Sequence, residues 1–212
     1  MHRTGYYSFG PGLTPAVKNL LIANVAVFFL MYFFGLGNIM IEFFSLVPYL
    51  AINNFQIWRF VSYIFLHGGF GHIFFNMFAL WMFGVGLERI WGSKEFYKFF
   101  FITGVFAGLS SAVFNFGSMA PTIGASGAVY GVLMAYALLF PEVEIYLYFL
   151  FPIKMKYFAL IIGAIEFISS FQYDGIAHFA HLGGMVAGYL YLKSKYGNAI
   201  PNITDLFKKK HY

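Results

Sequence analysis

Between Pro121 and Gly131 the chain reads Pro-Thr-Ile-Gly-Ala-Ser-Gly-Ala-Val-Tyr-Gly, with one serine, Ser126, set among small residues where an apolar run begins. A serine hydroxyl is a weak nucleophile until a neighbouring base takes its proton, and histidine is the usual base because it titrates near neutrality. His181 is the candidate. His72 and Asn76 lie four residues apart on one helical face, and their N–H groups, with the backbone N–H of Ser126 at a helix start, make the donor set that an acyl-transfer oxyanion needs. Tyr130, four residues after the serine on the same face, is placed to pack on the His181 ring. No Asp or Glu reads as a neighbour of His181, so a dyad is expected rather than a triad.

The same residues have a plainer reading. Gly127 and Gly131, like Gly184 and Gly188, have the small-xxx-small spacing that lets membrane helices approach closely, and a helical serine often bonds back to its own preceding turn. The two readings are compatible, because a serine and a histidine on separate helices meet only if the helices come close.

Those helices must cross a membrane. Of 212 residues, 60% are hydrophobic and only 10% charged, against about a quarter charged in soluble domains, and the mean hydropathy is +0.73. The chain has no cysteine, which excludes disulfides, thiolate catalysis and Cys-ligated metal. Apolar runs predict spans at 20–41 (ending near Gly35), 70–88, 96–116, 125–141, 154–171 and 176–193. The fold expected is all-α: six transmembrane helices in one bundle, without internal repeat, and with a long outer loop, 36–69, between helices one and two. The first run is long enough to span and is not followed by a small-residue cleavage site, so no cleavable signal peptide is expected. The predicted organisation is a short lead at 1–14, a membrane domain at 15–196 and a basic tail at 197–212.

Twelve of the thirteen Lys and Arg residues fall in one set of connections and only Arg59 in the other, which puts both termini in the cytoplasm and the 36–69 loop outside. The net charge of +5 is spread over membrane flanks, so it points to a lipid surface and not to nucleic acid. Depth then follows. His72 lies near the outer end of helix two with Asn76 a turn deeper, and His181 is roughly 9 Å below the outer start of helix six. Helix four is too short to span unless the loop before Ser126 dips inward, so the three helices carry their polar residues at similar depth.

The other polar residues read as structural. Trp58 and Arg59 anchor the outer loop, and Glu88, beside Arg89, caps the inner end of helix two. His67 and His178 read as interfacial groups or supporting donors. With His181 they would make a metal site only if a carboxylate or cysteine completed it, and none is evident, so no metal or other cofactor is expected. Glu166, in the outer half of helix five, is the one ionisable residue without an assigned place, although an intramembrane carboxylate is a functional candidate by default.

From about residue 50 to 193 the chain resembles the rhomboid intramembrane serine proteases of the bacterial six-helix type. The motifs occur in order: Trp58-Arg59, His72-x-x-x-Asn76, Gly84-x-x-x-Glu88, Gly124-x-Ser126-Gly127 and Ala180-His181-x-x-Gly184-x-x-x-Gly188. The resemblance implies a Ser126–His181 dyad, oxyanion stabilisation by His72 and Asn76, and Tyr130 stacked on the histidine. It implies substrates that are transmembrane helices of other proteins, cut at or near the outer boundary of a bacterial cytoplasmic membrane, commonly beside small residues. A silent rhomboid-like protein that binds helices without cutting them would be expected to lack Ser126 or His181. A small transporter would be expected to show repeat symmetry or a broken-helix pair.

Overall fold

The computed structural model describes residues 12–147, 150–172, 175, 177–197 and 200. Most of the lead at 1–14 and of the tail at 197–212, including Lys208 to Lys210, and Asp174 before the last helix, lie outside the described residues.

Helix α1 spans Pro15–Tyr32. It starts five residues before the apolar run because proline suits the first helical turn and because a buried carboxylate waits there. Glu88 accepts the backbone N–H groups of Ala16 and Val17, each at 2.8 Å, and the hydroxyl of Thr14. It also accepts the Ser93 hydroxyl at 2.6 Å. Glu88 therefore caps the start of α1 from a distance and ties it to the start of a later helix, instead of closing the end of its own. Its replacement by alanine strands two buried helix-start N–H groups, for a loss of roughly 3 kcal/mol or more. A clear fall in unfolding temperature in detergent is expected for Glu88→Ala, and an unchanged one would show that this cap ties nothing.

The 36–69 connection is largely helical: α2 Gly37–Phe44, α3 Pro48–Asn53, α4 Arg59–Ser62 and a 3-10 turn at Tyr63–Phe65. Arg59 is the staple. Its guanidinium donates to the carbonyls of Ser45 (2.6 Å) and Glu42 (2.7 Å) and to Gln56 Oε1 (2.6 Å), while the Trp58 indole donates to the Phe43 carbonyl at 3.0 Å. The connection is also stitched to the segment before the serine. Leu46 and Thr122 exchange two backbone bonds, of 2.9 and 2.8 Å, and the Gly124 N–H reaches the Tyr63 carbonyl at 2.9 Å.

Helix α5 (Phe70–Ala79) runs through a π-helical turn at Leu80–Gly84 into α6 (Val85–Trp91). α7 covers Ser93–Phe114 and buries residues at helical spacing, Phe96, Phe99, Phe100, Thr103 and Ala107 among them. α8, Ser126–Leu139, has 14 residues, about 21 Å, and most of its side chains are buried. β1 (Glu144–Leu147) and β2 (Phe151–Lys154) follow, then α9 (Met155–Ser169) and α10 (His178–Tyr196), which packs along both α7 and α8.

The two strands correct the all-α expectation. They pair antiparallel, Ile145 opposite Ile153, where a stretch that mixes Glu144, Tyr146 and Pro152 with apolar residues is too interrupted to hold a helix. Glu142, at the base of this hairpin, bonds Lys154 and Lys156 at 2.6 Å each, and the two cations hold its carboxyl below the usual carboxylate range.

Among the described residues, Pro15–Tyr32, Phe70–Trp91 and Ser93–Phe114 are long and apolar enough to cross a membrane, and Ser126–Leu139 is apolar but shorter. The outward surface is apolar as well. Phe33, Phe75, Phe114, Phe167 and Phe171 are each largely exposed, a surface that suits lipid and would drive association in water. This is an integral membrane protein.

Candidate active site

Ser126 is the first residue of α8. The turn that presents it requires Gly124, whose φ of +122° lies in the left-handed region. A Cβ there would also stand 2.7 Å from His72 Nε2, so no other residue fits on either count. The His72 ring and the serine hydroxyl thus both stand close to Gly124, the hydroxyl 3.7 Å from where that Cβ would be. As the first N–H groups of a helix have no intrahelical partner, the backbone N–H of Ser126 is available there.

His181, on the first turn of α10, places Nε2 2.7 Å from Ser126 Oγ. Two features fix that distance. The Tyr130 ring lies flat on the imidazole, centroids 4.3 Å apart and planes 5° from parallel. The helix backbones also touch. A Cβ on Gly184 would sit 1.9 Å from the Gly127 carbonyl oxygen, and one on Gly188 would sit 2.7 Å from that of Gly131. The glycines of α8 face elsewhere: a Cβ on Gly127 would strike Ala107 and one on Gly131 would strike Thr103, both on α7. The small-residue ridge on α8 therefore admits α7, and that on α10 admits α8. Bulk at Gly131 would therefore press on α7, whereas bulk at Gly184 or Gly188 would part α8 from α10.

The expectation that no carboxylate neighbours His181 is also overturned. Glu166, on α9, is buried with Oε2 2.9 Å from His181 Nδ1 and 2.6 Å from His178 Nδ1. Its other oxygen accepts the Tyr130 hydroxyl. His178 is buried in this cluster and not interfacial. The donor atoms of Glu166, His178 and His181 lie within 4.8 Å of one another, a separation a cation could bridge. So a carboxylate does stand beside two of the three histidines weighed as ligands. His67 is not in the group; it is fully buried, with its ring edge-on to His72 at 4.9 Å. Hydrogen bonds within the protein already engage the cluster.

His72 Nδ1 accepts the Gly68 N–H at 3.3 Å, which leaves Nε2, the atom nearest Gly124, to carry the proton. Asn76, buried a turn further along α5, spends one amide proton on the His72 carbonyl at 2.8 Å and keeps the other. Sequence reasoning missed what Glu166 and His178 touch. The signal that was present is the cost of a carboxylate in an apolar span, which demands partners of the polarity that His178 and His181 offer.

Residues 54–196 match the rhomboid domain model. The chain belongs to the rhomboid family. It is 34% identical over 181 residues to rhomboid protease GluP of Bacillus subtilis, covering 82% of this chain and 34% of that protein. It is 30% identical to rhomboid protein 1, mitochondrial, of Saccharomyces cerevisiae, over 82% of this chain and 52% of the relative. Rhomboid protease GlpG of Yersinia pestis is also 30% identical, over 83% of this chain and 61% of its own length. This rhomboid thus spans from about a third to about three-fifths of the length of these relatives.

Proposed function

We propose that this rhomboid is an intramembrane serine endopeptidase that hydrolyses peptide bonds in or beside transmembrane helices of other membrane proteins. The observation that carries the reading is the 2.7 Å contact between Ser126 Oγ and His181 Nε2, made beside a turn that requires glycine at 124.

Ser126 donates its proton to His181 Nε2 as Oγ bonds to the scissile carbonyl carbon. The carbonyl oxygen, now negative, faces His72 Nε2–H, the Ser126 backbone N–H and the free amide proton of Asn76. Collapse breaks the C–N bond, and His181 hands its proton to the departing amine. Water then attacks the acyl-serine, losing its proton to Nε2, and Ser126 leaves with that proton restored. Chelators have no part to act on in this sequence.

In this reading α1, the continuous α5–α6, α7, α8, α9 and α10 are six spans, with the termini in the cytoplasm and the 36–69 connection outside. The setting is a bacterial cytoplasmic membrane. The gathering of twelve of the thirteen Lys and Arg residues in one set of connections supports this orientation. The substrate helix enters from the lipid, and because a helical peptide hides its carbonyls in hydrogen bonds, Gly or Pro near the cut speeds cleavage by loosening it.

The test is cleavage of a single-span substrate in proteoliposomes, with product termini read by mass spectrometry and the serine probed by a fluorophosphonate. Cuts in the outer third of the apolar span or just beyond it, unaffected by chelators, are expected. A cut on the cytoplasmic side overturns the orientation, and a folded protein that neither cuts nor labels overturns the enzyme.

A further inference from the structure

We infer that Glu166 is a positioning residue of the catalytic histidine, so that Ser126, His181 and Glu166 work as a triad braced by Tyr130 and His178. This rests on the protease reading of the Ser126–His181 pair.

A buried carboxylate is retained in an apolar span only if its oxygens are satisfied. Those of Glu166 are satisfied by the site's own residues. One accepts the Tyr130 hydroxyl, and the other stands 2.6 Å from His178 Nδ1 and 2.9 Å from His181 Nδ1. Tyr130 therefore acts twice: its ring stacks on His181 and its hydroxyl holds the carboxylate that faces the same imidazole. His178, less than one helical turn before His181, supplies the opposing tie. The His178 contact is aligned as a hydrogen bond, whereas Glu166 Oε2 lies at bonding distance from His181 Nδ1 but off the N–H direction. Such contacts in a substrate-free site commonly tighten when charge develops.

Two consequences follow for the chemistry. For Ser126 to donate to Nε2, the proton of neutral His181 must sit on Nδ1, and a carboxylate acceptor at Nδ1 selects that tautomer. When Nε2 takes the serine proton, the imidazolium forms next to a negative charge already in place. Glu166 keeps its charge and Nδ1 keeps its proton throughout.

Glu166→Gln separates charge from packing. The amide can turn its oxygen toward the two imidazole N–H groups and its NH2 toward Tyr130, so shape and hydrogen bonding persist and only the negative charge is lost. Expected is a fall in kcat of about 10²- to 10⁴-fold, the upper figure being that for an orienting carboxylate made amide in a serine protease. KM and unfolding temperature should change little, and fluorophosphonate labelling should slow in parallel with kcat. Unchanged kcat and labelling in Glu166→Gln, with an active wild type, would overturn the triad and leave the dyad standing. An inactive, unlabelled wild type would instead remove the protease reading.

The unsubstituted protein gives a reading that does not depend on the variant's folding. The 15N shifts of His181, assigned by difference from His181→Asn, should show a protonated Nδ1 and a bare Nε2, and the reverse would overturn the inference.

Discussion

Ser126→Ala and His181→Ala are each expected to remove turnover almost completely, on the order of 10⁶-fold, and the double variant to be no worse than either single one. The non-additivity follows from the geometry. With Nε2 2.7 Å from Oγ, the two act on one proton in the first step, so loss of either stops the reaction there. Folding should survive the serine change. The lost contact is one hydrogen bond, worth about 1 kcal/mol net, and His181 remains held by Tyr130 and the Glu166 cluster. In the same assay Asn76→Ala should fall by a smaller factor, about 10²- to 10³-fold, as one oxyanion donor among several. Its remaining amide proton, not the one spent on the His72 carbonyl, is the one lost to the reaction. Initial rates on a single-span substrate, with unfolding temperatures alongside, check all four proteins. Turnover retained in a folded Ser126→Ala protein would sink the mechanism.

What could be read from the chain beforehand was set by how locally each feature is encoded. The helices could be read because an apolar run of span length has few other uses: runs predicted at 70–88 and 96–116 fold as Phe70–Trp91 and Ser93–Phe114. The serine and its presenting glycine sit within one short string, so their placing together at a helix start was visible in the spacing. Glu166 was not legible in the same way. Its partners are Tyr130 on α8 and His178 and His181 on α10, and which side of α9 meets those helices depends on packing that no periodicity in α9 reveals. Glu88 misled for a related reason. A carboxylate next to Arg89 looks like the end of its own helix, whereas it serves the start of another that lies 71 residues earlier in sequence at Val17. The 144–154 hairpin was missed because four-residue strands carry too little pattern to outweigh the apolar character of their flanks.

The second large effect requires no change in any chemical group. Gly184→Ala adds one methyl group, and the structure places that Cβ 1.9 Å from the Gly127 carbonyl oxygen. A backbone oxygen at that distance cannot swing aside as a side-chain tip does, so α10 and α8 must part by more than an ångström. Since α8 begins with Ser126 and α10 carries His181 on its first turn, the parting falls directly on the 2.7 Å contact between them. A misplacement of about 1 Å costs around 10²-fold in rate, and overpacking of this kind costs typically 1–3 kcal/mol of stability. Gly184→Ala should therefore lose at least ~10²-fold in kcat, with a lowered unfolding temperature. Gly188→Ala, whose Cβ would meet the Gly131 carbonyl oxygen at 2.7 Å, should follow in the same direction with a smaller loss. Gly163→Ala on α9 is the comparison, since its Cβ would meet only the flexible Met185 side chain, at 3.2 Å, and near-unsubstituted activity is expected. Gly131→Leu should also inactivate, but by pressing on Thr103 of α7, so that shortening the obstacle with Thr103→Ala should restore part of its activity and none of that lost by Gly184→Ala. Full activity in Gly184→Ala would mean that α8 and α10 are not in backbone contact at the serine.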